Sequence, residues 1–513
     1  MAAPRPPIAA LLAELTRTSA LFTPQQEMMQ GMSTRLADIA KALEASELSS
    51  IQPSNQSPPP KQFDADPERS RSSRNVPSVL SPAASSSFDS DLMTAFVAAV
   101  RTFVDLGHKY AMTRDSHVYR LASTRQMFED LAALYSQLDA DLDAPLRRSG
   151  AFSQKPDEPE KNEFRRILAT QRANEEEQMA LLSKGNPRPF VSSRRGHEPM
   201  ESLTLLKFEL DFHKADHSKQ HVASMKAVFF SIVRSSNGRV AKIPGWYLPP
   251  YYLRYDQTKS EKQTGIARVF RGDLNAAQDQ GAGKSVAIKA IAFHVDAVEL
   301  FQREVEIWSA IDHVNVLKLA GASHCSYPTL VITEWAANGT LREYLGKIGA
   351  QKRRAETWRK FREAILGLLY LRKEMKMVHG NLKPQNLLVD ADAVVKVTDF
   401  GRGILQLQNV TMQEDMRHSE ERPRAFDPTW RAPECRTKQG RPTFRSDVFS
   451  LGLCLLDALE MELPTAPHFK LTQSKAMNND EWMLLRSMCN RDPKDRLELS
   501  QVLEEVDKIV AKC

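Results

Sequence analysis

His379-Gly380-Asn381-Leu382-Lys383-Pro384-Gln385-Asn386-Leu387-Leu388, followed by Asp399-Phe400-Gly401 beyond Val394-Val395-Lys396-Val397, is the most informative part of the sequence. Upstream lies Val286-Ala287-Ile288-Lys289, apolar and rich in β-favouring residues, which suits a buried strand delivering an ammonium into a cleft. Glu304 then sits within the helical pattern Val298, Phe301, Val305, Trp308. From that helix a glutamate can reach back to the lysine and hold it against anionic oxygens. Downstream follow Trp430-Arg431-Ala432-Pro433-Glu434, Ser446-Asp447-Val448-Phe449-Ser450-Leu451-Gly452 and Arg491-Asp492-Pro493-Lys494-Asp495-Arg496. Each motif alone is modest, and all of them in this order leave chance assembly negligible.

This series resembles the eukaryotic protein-kinase family over about residues 250–513. His313-Val314-Asn315-Val316-Leu317-Lys318-Leu319-Ala320-Gly321 and the Trp before Ala-Pro-Glu are most similar to the tyrosine-kinase-like group, and Lys383-Pro384 resembles the serine/threonine pattern. The resemblance implies an α+β two-lobed fold, with a β-rich N-lobe and an α-rich C-lobe, and ATP with Mg²⁺ as cofactors. Lys289 would hold the α/β-phosphates, Glu304 would brace it, and Asn386 and Asp399 would be the metal ligands. Thr333 would be the gatekeeper, Glu334 and Trp335 the hinge, and Val269, Ala287 and Leu388 the adenine pocket, with Lys383 in the catalytic loop. Glu434 and Arg496 would form the ion pair anchoring the C-lobe, and Asp447 would be structural. Thr411, Ser419 and Thr429 are candidate activation-loop phosphosites.

Three departures bear on catalysis. Asn381 stands at the catalytic aspartate's position, and an amide cannot accept the substrate hydroxyl's proton. Losing a general base costs about 10²–10⁴ in rate. In the phosphate loop the three family glycines fall on Lys262, Thr264 and Ala267, with Gly265 the glycine nearby, so backbone approach to phosphate is impaired. Gly380 replaces the arginine that would pair with a phosphorylated activation loop. His-Gly-Asn at this position resembles pseudokinase domains such as the kinase-homology regions of receptor guanylyl cyclases. The expectation is an ATP-binding domain in signalling, with weak or absent serine/threonine transfer; the alternative is an active serine/threonine kinase regulated by its N-terminal helices.

The N-terminal half reads as helix. Ile8, Leu11, Leu12 and Leu15 form one apolar face, and Met28, Met32, Leu36, Ile39 and Leu43 another. Residues 49–88, rich in Ser and Pro with Pro58–Pro60 in a row, are expected to be a disordered linker after a helical segment over 1–48. Helical stripes resume at Leu92, Ala95, Phe96, Ala99, Val100 and Phe103, then at Leu121, Phe128, Leu131, Leu134, Tyr135 and Leu138, and more weakly at Phe164, Ile167, Leu168 and Met179. A helical bundle over 89–244 is expected, ending near Pro249-Pro250, with the kinase-like domain over 245–513.

A net charge of +6 is mild for 513 residues and suggests no nucleic-acid partner. Lys352, Arg353 and Arg354 are expected on a solvated helix face. No apolar run reaches the ~18–20 residues of a spanning helix. Pro4 to Pro7 lead into a short apolar stretch that soon meets Glu14, unlike a secretory signal, so a cytoplasmic location is expected. Partners or substrates are expected to be proteins, met through the helical region and the C-lobe. Gly281-Ala282-Gly283-Lys284-Ser285 mimics the end of a phosphate-binding loop, but it precedes a strand instead of following one and is read as a hairpin turn.

Overall fold

The apolar stripes of the first half become helices, with Leu11, Leu15, Leu36, Phe96, Phe103, Leu121, Leu131 and Phe164 buried and Leu12, Phe128, Ile167 and Leu168 half-buried. The computed structural model describes residues 8–19, 26–51, 82–111, 117–148, 158–185, 198–236, 242–257, 259–264, 267–274, 284–292, 298–326, 328–400, 428–436, 440–460, 473 and 477–512. The chain divides into two units, Met1–Ser192 with Leu205–Gly238, and Ser193–Thr204 with Arg239–Cys513.

The first unit is helical: α1 (Ile8–Ser19), α2 (Gln26–Ile51), α3 (Pro82–Ala111), α4 (His117–Leu138), α5 (Ala144–Arg148) and α6 (Glu158–Lys184), then most of α7 (Glu198–Phe212) and α8 (Lys219–Ser236). A π-helical turn, Asp139–Asp143, joins α4 to α5. Helices α1, α2 and α3 pack on one another, α3 on α4, and α6 on α8. Their core holds Leu11, Leu15, Met32, Leu36, Ile39, Phe96, Val100 and Phe103. Its buried ion pairs among the described residues include Lys109 Nζ to Asp130 Oδ2 at 2.5 Å, and Arg125 to both oxygens of Glu209 at 3.0 and 3.1 Å. Most of the stretch read as a linker lies outside the described residues; α2 runs to Ile51 and α3 starts at Pro82, at its two ends.

The second unit carries the expected β-rich lobe, built as an antiparallel sheet, and the expected helical lobe. Its strands are β1 (Leu253–Tyr255), β2 (Lys262–Thr264), β3 (Ala267–Leu274), β4 (Lys284–Ile291), β5 (Leu319–Ser323) and β6 (Thr329–Glu334), ordered β1-β3-β4-β6-β5 with β2 also on β3. Alternation along β3, β4 and β6 turns Phe270, Val286, Ile288, Ala290, Leu330 and Ile332 into one apolar core. Gly272 permits this packing, because a Cβ there would meet Arg254 O at 2.6 Å and Ile288 Cδ1 at 2.7 Å. Helix α9 (Val298–Ser309) accompanies the sheet and buries Phe301, Val305 and Trp308.

The helical lobe comprises α10 (Leu341–Gly346), α11 (Ala350–Lys373), α12 (Phe444–Glu460), α13 (Asn479–Met488) and α14 (Leu499–Val510), with the hairpin β7 (Leu387–Val389) and β8 (Val395–Val397). Thr340 and Glu343 form a capping box at the start of α10. The basic cluster on α11 is not simply solvated. Arg353 donates to Leu345 O at 3.1 Å and Ile348 O at 3.0 Å, closing the end of α10, and Arg354 donates to the buried Glu481 at 2.9 Å. Among the described residues no helix is long and apolar enough to cross a membrane.

Candidate active site

Strand register sets the upper wall of the site. Val269 lies opposite Lys289, Arg271 opposite Ala287, and Ala287 opposite Thr333. Cross-strand partners share a face, so Val269, Ala287, Lys289 and Thr333 occupy the face opposite the apolar core. At the end of β6, Glu334 Oε1 accepts the Lys318 N–H at 2.8 Å and lies 3.5 Å from Lys396 Nζ. The Arg271 guanidinium lies over the Trp335 ring, 5.3 Å from its centroid. Leu388, half-buried on β7, pairs with Lys396 in the other lobe.

The lower wall is the loop between α11 and β7. Asp447, buried near the start of α12, grips it by accepting the His379 and Gly380 N–H groups, each at 2.8 Å. Gly380 has φ +73°, a left-handed backbone that glycine adopts without strain, and Pro442 Cβ lies 3.3 Å from where a Cβ would stand. Burial pushes the Asp447 carboxyl up to about 7, against the pull of the two backbone donors. His379 Nε2 donates to Thr398 O at 3.0 Å, and Nδ1 accepts the Asn381 N–H at 3.2 Å. One donor and one acceptor describe a neutral imidazole, in keeping with burial that lowers its pKa to about 4.

Asn386 is buried and spends its Nδ2 on Asn381 O at 2.8 Å, while its backbone O accepts from Thr398 at 3.0 Å. That leaves Oδ1 as the donor atom for a hard cation. Asp399 has φ +55°, a conformation that costs a non-glycine residue energy and often marks a functional position. Lys289 Nζ meets Asp399 Oδ1 at 2.7 Å. Burial alone would raise the Asp399 carboxyl, but the Lys289 ammonium outweighs it, with Lys383 adding to the effect, and the group sits below the ordinary carboxylate range. Asp399 is therefore ionised at neutral pH, and its carboxylate with Asn386 Oδ1 would supply oxygen donors of the kind a hard cation such as Mg²⁺ takes. Asn381 is half-buried, and its hydrogen bonds within the loop run through its backbone.

The helix above carries Glu304, half-buried on α9. One turn on, Trp308 donates to Leu317 O at 2.9 Å and packs edge-on against Phe400 at 5.2 Å, which in turn meets His379 at 6.3 Å. Sequence reasoning missed this aromatic line, and also Trp246, whose Nε1 donates to Glu306 of α9 at 2.5 Å. Farther off, Arg496 forms a bidentate pair with Glu434 at 2.6 and 2.8 Å and donates to three backbone carbonyls, those of Asn490, Arg445 and Arg491. Thr429 is half-buried in the short turn Pro428–Trp430, whereas Gly265, Thr411 and Ser419 lie outside the described residues.

Residues 262–506 match the family model described as protein tyrosine and serine/threonine kinase. The chain is 29% identical over 228 residues to the LEAF RUST 10 disease-resistance locus receptor-like protein kinase-like 2.5 of Arabidopsis thaliana, covering 43% of this chain and 32% of the relative. It is 26% identical over 247 residues to the probable serine/threonine-protein kinase drkB of Dictyostelium discoideum, covering 45% and 34%. With the serine/threonine-protein kinase CTR1 of Arabidopsis thaliana it shares 31% over 188 residues, covering 36% and 22%. The chain thus spans about a third or less of the length of these relatives. Residues 262–506 form a protein kinase domain whose relatives include serine/threonine kinases.

Proposed function

We propose that this kinase domain binds ATP with Mg²⁺ and transfers phosphate weakly or not at all, acting in signalling through its nucleotide-bound shape and its protein partners. The observation that carries the proposal is the assembled cleft around an amide. Lys289 is poised at 2.7 Å from an ionised Asp399, and Asn386 is oriented by the Asn381 carbonyl at 2.8 Å, yet the base position itself is Asn381. Lys289 would neutralise phosphate oxygens, and Asn386 with Asp399 would hold the metal, which supplies charge neutralisation between the phosphates. The Asn381 carboxamide can orient a substrate hydroxyl but cannot take its proton. A serine/threonine group assignment in the tyrosine-kinase-like branch is part of this proposal, supported by the likeness to CTR1.

Titration of the full chain with ADP, with and without Mg²⁺ and alongside Lys289→Met, tests the binding half. Saturable binding that Mg²⁺ strengthens and the variant weakens is expected. Absence of binding under both conditions overturns it.

A further inference from the structure

Lys262 stands where the family would place the first glycine of its phosphate loop, and it reads there as a defect. The register gives it a different role. On β2 Lys262 lies directly opposite Val269 of β3, which lies directly opposite Lys289 of β4. Directly paired residues of antiparallel strands project to the same face, so all three occupy the cleft face in one row across the sheet. With strands about 4.8 Å apart, the two lysine backbones stand about 10 Å from each other. Two four-carbon stems bearing mobile ammonium groups can converge from that separation on one polyphosphate.

Among the described residues, the other cations that β3 and β4 place on this face are engaged. Lys289 is held by Asp399 at 2.7 Å, and Arg271 is drawn over the Trp335 ring at 5.3 Å. Lys262 is exposed, and among the described residues the ion pairs around it, Lys259–Asp256 and Lys289–Asp399, do not include it. An unspent ammonium on the open face of a cleft draws the anionic part of a ligand there.

We propose that Lys262 is a second phosphate-binding cation, whose side chain takes over the grip on phosphate that backbone amides exert in a glycine-rich loop. The inference rests on the nucleotide-binding reading and specifies where the charge complement of the triphosphate comes from. A charge-assisted contact of this kind contributes on the order of a tenfold change in affinity.

The test is calorimetric titration of the full chain with ATP, ADP and adenosine, for the wild type, Lys262→Met, Lys262→Gly and Lys262→Arg. Position 262 is exposed on a strand, so circular dichroism and thermal unfolding should match the wild type in all three variants. The expected result is an about tenfold loss of ATP and ADP affinity in the Met and Gly variants, unchanged adenosine binding, retention in the Arg variant, and a shallower salt dependence once the charge is gone. ATP affinity that is unchanged in Lys262→Met, or higher in Lys262→Gly, overturns the inference alone. A wild type that binds none of the three ligands overturns the nucleotide reading and this inference with it.

Discussion

Lys289 Nζ and Asp399 Oδ1 stand 2.7 Å apart, the ammonium delivered by the third of four consecutively paired strands and the carboxylate by a left-handed residue just past β8. The pair joins the two lobes through their charged groups and holds the carboxylate ionised, ready for a metal. Asp399→Asn keeps the shape but removes the charge. We expect the Mg²⁺-dependent part of ADP affinity to disappear in that variant while metal-free binding survives, measured by titration with and without Mg²⁺. A variant that retains the full Mg²⁺ enhancement would show that the metal is held elsewhere.

Trp246 binds the segment ahead of β1 to the same machinery. Its Nε1 donates to Glu306 at 2.5 Å, its carbonyl accepts the Ala322 N–H at 2.9 Å, and the Leu248 N–H returns to Ala322 O at 2.9 Å. Helix α9 is thus held at Glu306, two residues before the Trp308 that meets Phe400. Trp246→Phe keeps an aromatic ring and deletes the donor. Hydrogen exchange over 298–309 should quicken roughly tenfold, the scale of one hydrogen bond to a charged acceptor. Unchanged exchange there would assign the anchoring of α9 to its apolar face alone.

Arg496 is fully enclosed, with five hydrogen bonds reaching Glu434 and three backbone carbonyls. Arg496→Ala leaves those acceptors without their donor. A loss of about 3–5 kcal/mol in unfolding free energy is expected by denaturant titration, with the loss concentrated in the kinase domain. A change under about 1 kcal/mol would mean water replaces the guanidinium.

His324 lies between the Trp246 and Tyr247 rings, at 5.3 and 5.4 Å, and burial lowers its pKa to about 4. The unfolded chain, with a histidine near 6.5, binds the proton first as pH falls. This group's contribution is therefore fully present above about 6.5 and is lost as pH drops toward 4. His324→Phe should flatten the stability-against-pH slope across that window by up to about 1.4 kcal/mol per pH unit. An unaltered slope would show that His324 protonates freely in the folded state.

How much of this was legible varied with the kind of signal. Val286-Ala287-Ile288-Lys289 was legible as a strand because its apolar, β-favouring residues suit a buried one, and the register then puts Lys289 on the face opposite the apolar core. His379 to Asp399 announced the loop because its chemistry needs those residue types in that order. Helix α7 escaped notice because Glu201, Ser202, Thr204 and Glu209 are buried along with Leu203, Leu205, Leu206 and Phe208, so no apolar stripe stands out. Arg354 looked like solvated charge because its partner Glu481 is close only in the fold, and Arg353 because its acceptors are backbone carbonyls at the end of α10, which side-chain patterning does not show. Trp246 and Lys262 depend on backbone pairing across strands, a relation that sequence spacing does not express.

We hold that the assembled cleft is limited by the amide at position 381, and intact-mass spectrometry after incubation with Mg²⁺ and ATP is the direct test. Wild type, Asn381→Asp and Asn381→Asp with Lys289→Met would be compared. The loop bonds at Asn381 run through its backbone, so aspartate fits without rebuilding the loop. Little or no added phosphate is expected in the wild type, incorporation faster by about 10²–10⁴ in Asn381→Asp, and none once Lys289 is also replaced. Equal incorporation by wild type and Asn381→Asp, whether fast in both or absent in both, would contradict it.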